Sequence, residues 1–148
     1  MITVDKATHR DIDSLAALLQ TLFAFEAEFT ADEVKQKAGI NLILDSPAIG
    51  QILVARKNGD VVGMVNLLFT VSTALGEPVA ILDDLVVAPA FRGAGVGRLL
   101  MDKAIEFCSE RGQARISLQT DLDNNRAQRL YESCGFMRSS MISYKKLL

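Results

Sequence analysis

The sequence predicts a single α/β domain with a mixed, mostly antiparallel sheet flanked by helices. The chain has 148 residues, which is the length of one domain. Hydrophobic patterns of helical and of strand period alternate along it. Two strand-like runs flank Asn58-Gly59, a dipeptide that favours a tight hairpin because both residues tolerate positive φ. The predicted order of elements over 1–148 is β-α-α-β-β-β-α-β-α-β.

The first half of the chain carries one strand, two helices and the hairpin. A short strand over 2–6 precedes a helix over 9–27, in which leucines recur at three- and four-residue spacing. A capping box of Thr30 and Glu33 predicts the start of a second helix, which ends near Leu44. The second half continues with a strand over 79–87, a helix over 96–110, a strand over 116–120, a helix over 124–133 and a last edge strand in the tail 140–148.

The composition excludes several classes of protein. With 49% hydrophobic and 23% charged residues, the chain is not intrinsically disordered. Its net charge of −2 gives no basic footprint, so we expect no nucleic-acid partner. No apolar run is long enough to span a membrane and the N-terminus does not resemble a secretory signal, so we expect no membrane partner and a cytoplasmic protein.

The few metal-binding and nucleophilic side chains narrow the chemistry. The chain has one histidine, His9, and two cysteines, Cys108 and Cys134. These are too few for a zinc site of the usual ligand number, so we expect no metal. A single histidine also disfavours a hydrolase of the Ser-His-Asp or Cys-His type.

A glycine-rich turn between a buried strand and a helix is the most informative segment. Arg92-Gly93-Ala94-Gly95-Val96-Gly97 follows the apolar strand and leads directly into the next helix. Glycines allow a ligand to approach the backbone closely, and the free amides at a helix N-terminus favour an anion. The segment therefore predicts a site for a phosphate or pyrophosphate. It matches neither the dinucleotide fingerprint G-x-G-x-x-G nor the P-loop.

The segment resembles the acetyl-coenzyme A signature [Q/R]-x-x-G-x-[G/A] of the GNAT superfamily of N-acetyltransferases. Arg92, Gly95 and Gly97 stand at its three defined positions. A second run resembles the cofactor motif that lies further along the chain in that family, and its matching residues are Asn124, Ala127, Tyr131, Gly135 and Phe136. The resemblance covers about residues 79–136.

The resemblance implies acetyl-CoA as the acetyl donor and no metal. It places the pyrophosphate on the amides of 93–98, and the pantetheine arm along the strand at 85–87, with a backbone N–H near Val87 facing the thioester carbonyl. Asn124 is expected to hydrogen-bond the arm or a linked water. The implied cofactor-binding residues are Leu85, Val86, Val87, Arg92, Gly93, Ala94, Gly95, Val96, Gly97, Arg98 and Asn124.

Three residues are candidates for catalysis. By resemblance, Tyr131 is the general acid that protonates the leaving thiolate; the alternative is a helix tyrosine that only packs its ring. Asp83 and Asp84 interrupt an apolar strand, where a carboxylate is costly unless it is paired or useful. As neighbours on a strand they are expected on opposite faces. Asp83 is the first candidate for the general base and Asp84 the second; either could instead cap a bulge or pair with an arginine.

The resemblance also bounds the acceptor without identifying it. The family places its acceptor-binding helices where Phe23, Phe25, Glu26, Glu28 and Phe29 occur, although such residues also fit a core or a solvated helix face. We expect a small cationic primary amine that resembles a polyamine, lysine or an aminoglycoside. The alternatives are protein N-terminal or lysine acetylation, and a non-catalytic module that binds acetyl-CoA. A homodimer is compatible with the family.

Overall fold

Five strands form one sheet in the order in which they occur along the chain. The computed structural model describes residues 1–26 and 30–148. The first four strands are antiparallel neighbours, and the fifth pairs parallel to the fourth, which confirms the mixed, mostly antiparallel sheet. The strands are β1 (Ile2–Lys6), β2 (Gly50–Lys57), β3 (Asp60–Ser72), β4 (Glu77–Val87) and β5 (Ile116–Leu118).

Helices cover both faces of the sheet. They are α1 (Ile12–Phe23), α2 (Glu33–Leu44), α3 (Val96–Glu110) and α4 (Asn125–Ser133). One apolar core forms where α3 packs against side chains such as Leu53, Val65 and Leu82. A second core forms on the opposite face, where α1 and α2 pack against side chains such as Ile52 and Met64. None of the helices in the described ranges is long and apolar enough to cross a membrane.

A buried ion pair ties the start of α1 to the sheet. The guanidinium of Arg56 on β2 donates two hydrogen bonds of 2.8 Å to the carboxylate of Asp11. The same carboxylate accepts the backbone N–H of Thr8 at 2.8 Å. Chiefly because of the Arg56 hydrogen bonds, the pKa of Asp11 lies below its ordinary value.

Three predicted helix boundaries differ from the structure. A 3-10 turn over His9–Asp11 precedes α1, and the helix ends at Phe23 rather than at residue 27, which lies outside the described residues. The predicted Thr30–Glu33 capping box is wrong. Asp32 is the N-cap of α2 instead, and its side chain accepts the N–H of Lys35 at 3.2 Å.

The predicted last edge strand is also wrong. Residues 137–148 contain no strand, and their apolar side chains stay open to solvent, with Tyr144 91% exposed. The alternation in SMISYKKLL is weak and two adjacent lysines interrupt it, so the segment offers no continuous apolar face for the sheet. The observed order is therefore β-α-α-β-β-β-α-β-α.

Candidate active site

A β-bulge in β4 decides which face of the sheet carries the carboxylates. Asn66 on β3 pairs with Asp84, whereas the next residue, Leu67, pairs with Leu82, so Asp83 is an extra residue without a partner on β3. Side chains of β4 alternate between the two faces of the sheet, and beyond the bulge this alternation is reversed. Leu82 contributes to the core beneath α3, and Val86 contributes to the core beneath α1 and α2.

Asp84 is buried on the α1–α2 side of the sheet. Its carboxylate accepts a hydrogen bond of 3.0 Å from the side-chain N–H of Asn66, its partner across the strands. Both side chains are buried, with Asn66 5% and Asp84 9% exposed. Burial, opposed by the Asn66 hydrogen bond and assisted by the nearby Asp83, raises the pKa of Asp84 to about 6.

The two aspartates line one cavity between the sheet and the first two helices. The cavity has a volume of about 210 Å³. Because of the bulge, Asp83 and Asp84 both line this cavity. The expectation that they lie on opposite faces of the sheet is therefore wrong. Asp83 is the more exposed of the two, and desolvation raises its pKa as well. The lining residues are Leu19, Phe23, Lys35, Gln36, Gly39, Ile40, Ile43, Ile52, Met64, Asn66, Asp83 and Asp84.

Beyond the bulge, β4 has an open edge. β5 pairs with β4 only from Ala80 to Leu82, so 83–87 has no strand neighbour on that side within the described chain. The N–H of Ala88 donates to Val62 on β3. Because backbone groups alternate along an antiparallel strand, the N–H groups of Leu85 and Val87 point to the open side. This places free donors on the segment that the resemblance assigns to pantetheine.

The glycine-rich turn presents a second set of free donors beside this edge. The amides of 93–98 make no backbone hydrogen bond among the described residues; the first amide of α3 to do so belongs to Leu99. Gly95 is the N-cap of α3, with φ of 83°, a left-handed conformation that favours glycine. A Cβ at Gly95 would meet no protein atom within 4 Å, so the space above the turn is open.

The arginines of this region are held in defined positions. The side chain of Arg92 donates to the carbonyl of Val87 at 3.1 Å, which links the glycine-rich turn to the open edge of β4. Arg98 pairs with Asp102 at 3.1 Å and donates to the hydroxyl of Ser133 on α4 at 3.4 Å. The predicted cofactor residues on β4 and α3 therefore form one continuous surface.

Tyr131 and Asn124 lie on or next to α4. Tyr131 is half-buried and packs edge-on against the ring of Phe136, with ring centroids 6.2 Å apart. Burial, with a smaller contribution from the charge of Glu26, raises the pKa of its phenol. Asn124 is the N-cap of α4 and its side-chain oxygen accepts the N–H of Ala127 at 3.2 Å.

The residues predicted to bind the acceptor have different outcomes. Phe23 lines the cavity, and the charge of Glu26 reaches Tyr131. Phe25 is 78% exposed, and Glu28 and Phe29 lie outside the described residues. Asn66 was missed. Its signal is a lone amide in the otherwise apolar run MVNLLF, the same irregularity that singled out the aspartates.

Comparisons with known proteins show the family of the chain. The sequence model of the Acetyltransferase (GNAT) family matches residues 13–136, so the chain belongs to this family of acetyl-CoA-dependent transferases. The aminoalkylphosphonate N-acetyltransferase of Salmonella typhimurium is 30% identical over 133 residues, which cover 90% of this chain and 83% of that protein. A structure described as a transcriptional regulator from Bacillus halodurans is 26% identical, with a TM-score of 0.83 over 100% of both chains.

A further relative matches over a shorter stretch. The uncharacterized N-acetyltransferase YhfO of Bacillus subtilis is 35% identical over 85 residues. The chain spans 57% of the length of YhfO, and the matched part is 57% of this chain.

Proposed function

We propose that the protein transfers an acetyl group directly from acetyl-CoA to a small primary amine. One observation carries this proposal: two features of the molecule lie on the same strand, β4. The first is a surface that suits the cofactor, and the second is a cavity lined by carboxylates. The open edge at 85–87 continues into the free amides of 93–98. Asp84 lies on the same strand and lines the cavity under α1 and α2.

The donor side consists of backbone groups held by the fold. The amides of 93–98 and the positive end of α3 suit the pyrophosphate of acetyl-CoA. The outward N–H of Leu85 suits the pantetheine arm, and that of Val87 stabilises the oxyanion formed at the thioester carbonyl. Asn124 uses its oxygen to cap α4, so only its side-chain N–H₂ is left for the arm.

Asp84 is the general base of the proposed reaction. An ammonium must lose a proton before its nitrogen can attack, and a base whose pKa lies near the operating pH removes it most effectively. The pKa of Asp84, about 6, meets this requirement better than that of an ordinary surface carboxylate. Asp83, the first candidate from the sequence, lies at the more exposed part of the same cavity and attracts the cation.

Tyr131 is the general acid of the proposed reaction. A phenol is protonated at neutral pH, so its proton is available for the departing thiolate. The reaction balances with one proton passing from the ammonium to Asp84 and one from Tyr131 to sulfur. The proton that the attacking nitrogen loses on collapse of the tetrahedral intermediate restores the phenol.

The size of the cavity limits the part of the acceptor that it can enclose. Pockets for drug-sized ligands measure roughly 300–1,000 Å³, and this cavity measures about 210 Å³. A short alkylamine fits within it. Polyamine-like, lysine-like and aminoalkylphosphonate-like acceptors are candidates, the last because a relative of similar length is named for that substrate. We further propose a cytoplasmic enzyme in which 1–148 acts as one N-acetyltransferase domain.

The test is the release of free thiol from acetyl-CoA with a panel of polyamines, amino acids, aminoalkyl acids, aminoglycosides and peptides. The proposal predicts thiol release that depends on a small primary amine, with the acetylated amine as product. Thiol release only with peptides favours protein acetylation instead. Acetyl-CoA binding without turnover of any amine favours a non-catalytic binding module, and an absence of binding contradicts the proposal altogether.

A further inference from the structure

We propose that the cavity under α1 and α2 is built for a short amino acid-like zwitterion, a primary ammonium joined by an aliphatic spacer to an anionic group. In this arrangement Asn66 and Asp84 bind the ammonium and Lys35 binds the anion. The inference rests on the proposed function and names its acceptor. It depends on Asn66, Lys35 and the apolar wall between them.

Asn66 lines the cavity and has an unused hydrogen-bond acceptor. Its side-chain N–H₂ must face Asp84, because an ionised carboxylate only accepts hydrogen bonds. The carbonyl oxygen of the same amide therefore points elsewhere. It is buried and has no hydrogen-bond partner among the described residues. A buried acceptor without a donor is costly, and a ligand N–H relieves that cost.

A primary ammonium can interact with Asn66 and Asp84 at the same time. It carries three N–H bonds. One proton passes to the carboxylate of Asp84, and a second N–H donates to the carbonyl oxygen of Asn66. The lone pair freed by proton loss then forms the new C–N bond, and the C–S bond of the thioester breaks when the tetrahedral intermediate collapses. A tertiary amine has no N–H left to donate to Asn66 once its proton is lost.

Lys35 supplies the opposite charge from the helical side of the cavity. It lies on α2, lines the cavity with Gln36, and forms no ion pair among the described residues. The neighbouring Lys37 differs in both respects, because it pairs with Glu33 at 2.7 Å and with Asp13 at 3.0 Å and does not line the cavity. Among the described residues of the lining, Lys35 is the one charged side chain besides Asp83 and Asp84.

The wall that joins the two charged regions is apolar. It consists of side chains from α1, α2 and the sheet, including Leu19, Ile40 and Met64. Such a surface suits methylene groups and offers no partner for a charge in the middle of the ligand. A second ammonium at the far end would face Lys35, so a diamine is disfavoured relative to an aminoalkyl acid of the same length.

Matched acceptors test this arrangement with the intact chain. Propylamine, β-alanine, aminopropylphosphonate and diaminopropane are compared by kcat/KM in the thiol-release assay. We expect the two acids to exceed propylamine by about two- to fivefold, the range for one solvent-exposed charge pair, and diaminopropane to rank last. Which acid is better distinguishes a carboxylate from a phosphonate acceptor.

Two lysine variants separate selectivity from general activity. Lys35→Gln is expected to remove the preference for the acids by raising their KM, while the KM for propylamine stays within about twofold. Lys37→Gln, on the same helix, is the control and is expected to keep the preference. Equal use of all four amines by the wild type, or equal effects of the two variants, overturns the inference. No turnover of any amine overturns the proposed function as well.

Asn66→Ala tests the end of the cavity where we propose that the ammonium binds. We expect the KM for every primary amine to rise about tenfold, the cost of one hydrogen bond to a charged group, with the acid preference retained. Acetyl-CoA binding measured by titration checks that the variant is folded. A folded Asn66→Ala variant with unchanged KM values contradicts the role of Asn66. Lys35→Gln tests the other end of the cavity, where we propose that the anion binds. Because Lys35 is exposed, we expect this variant to fold.

Discussion

At the scale of single residues, burial matters more for the candidate base than for the candidate acid. Desolvation raises the pKa of both Asp84 and Tyr131. For the carboxyl group, the shift produces a base that can hold a proton near neutral pH. The phenol is protonated at neutral pH with or without the shift, so Tyr131 is a proton donor in either case.

Tyr131→Phe isolates the hydroxyl group. General acid catalysis contributes about 10²–10⁴ to a rate, so we expect kcat to fall by a factor in that range. The ring packing against Phe136 is retained, and affinity for acetyl-CoA is therefore expected to stay the same. Steady-state kinetics and equilibrium binding measure the two quantities. An unchanged kcat removes Tyr131 from the chemical step or shows that another step limits turnover.

Residue patterns in the sequence indicated the carboxylates but not their arrangement. Two aspartates in VAILDDLVV are conspicuous because charge is rare in an apolar strand. Their shared cavity depends on the bulge at Asp83, and a bulge depends on how β4 pairs with β3. Asn66 is one polar residue among several along the chain, and only the pairing of strands shows that it faces Asp84.

At the scale of elements, the start of α3 combines a left-handed backbone conformation, which favours glycine, with an open surface. Gly95 and Gly59 share nearly the same left-handed conformation, with φ of 83° and 85°, and a Cβ at either position would meet no protein atom within 4 Å. They differ in place, because Gly59 lies in the β2–β3 hairpin turn. The pair therefore separates backbone strain from loss of ligand space.

Gly95→Val is expected to weaken acetyl-CoA binding, whereas Gly59→Val is not. Both variants should lose about 1–2 kcal/mol of unfolding free energy, because a residue with a Cβ is strained in this conformation. Urea unfolding measures the strain and titration with acetyl-CoA measures binding. If the two folded variants bind acetyl-CoA equally well, the glycine-rich turn is not the phosphate site.

Local patterns predicted most elements because their signals are local. The Asn58-Gly59 hairpin follows from a backbone conformation that few residues adopt. The start of α2 was misplaced because Thr30, Asp32 and Glu33 all suit a helix N-terminus, and sequence alone does not rank them. The tail was misjudged because alternation indicates a strand only where a partner edge accepts it.

At the scale of the whole molecule, β4 connects the two halves of the proposed reaction. Its first part pairs on both sides, with β3 and β5, and its last part pairs with β3 alone. The free edge of that last part faces the donor surface, and its side chains on the α1–α2 face reach the cavity. An acetyl group on one side and an amine on the other can therefore meet at a single strand.

The sequence carries more information about the donor half of the site than about the acceptor half. For the donor half, the family motif names individual residues, because backbone recognition of a phosphate requires glycines at fixed spacing, and these cofactor contacts stay predictions. The acceptor half carries no such motif. Its cavity is assembled from α1, α2, β2, β3 and β4, and the selectivity that we propose depends on side chains that are distant in sequence, such as Lys35 and Asn66.

The pH dependence of kcat/KM in wild type, Asp84→Asn and Asp83→Asn tests the central claim most directly. A base must be ionised to act, so wild-type activity on a small primary amine is expected to fall as pH decreases through about 6, the pKa of Asp84. We predict that Asp84→Asn lowers activity by about 10²–10⁴ and removes this acidic limb. Asp83→Asn should keep the limb. A limb that persists in folded Asp84→Asn, or that vanishes only in Asp83→Asn, contradicts the claim that Asp84 is the base.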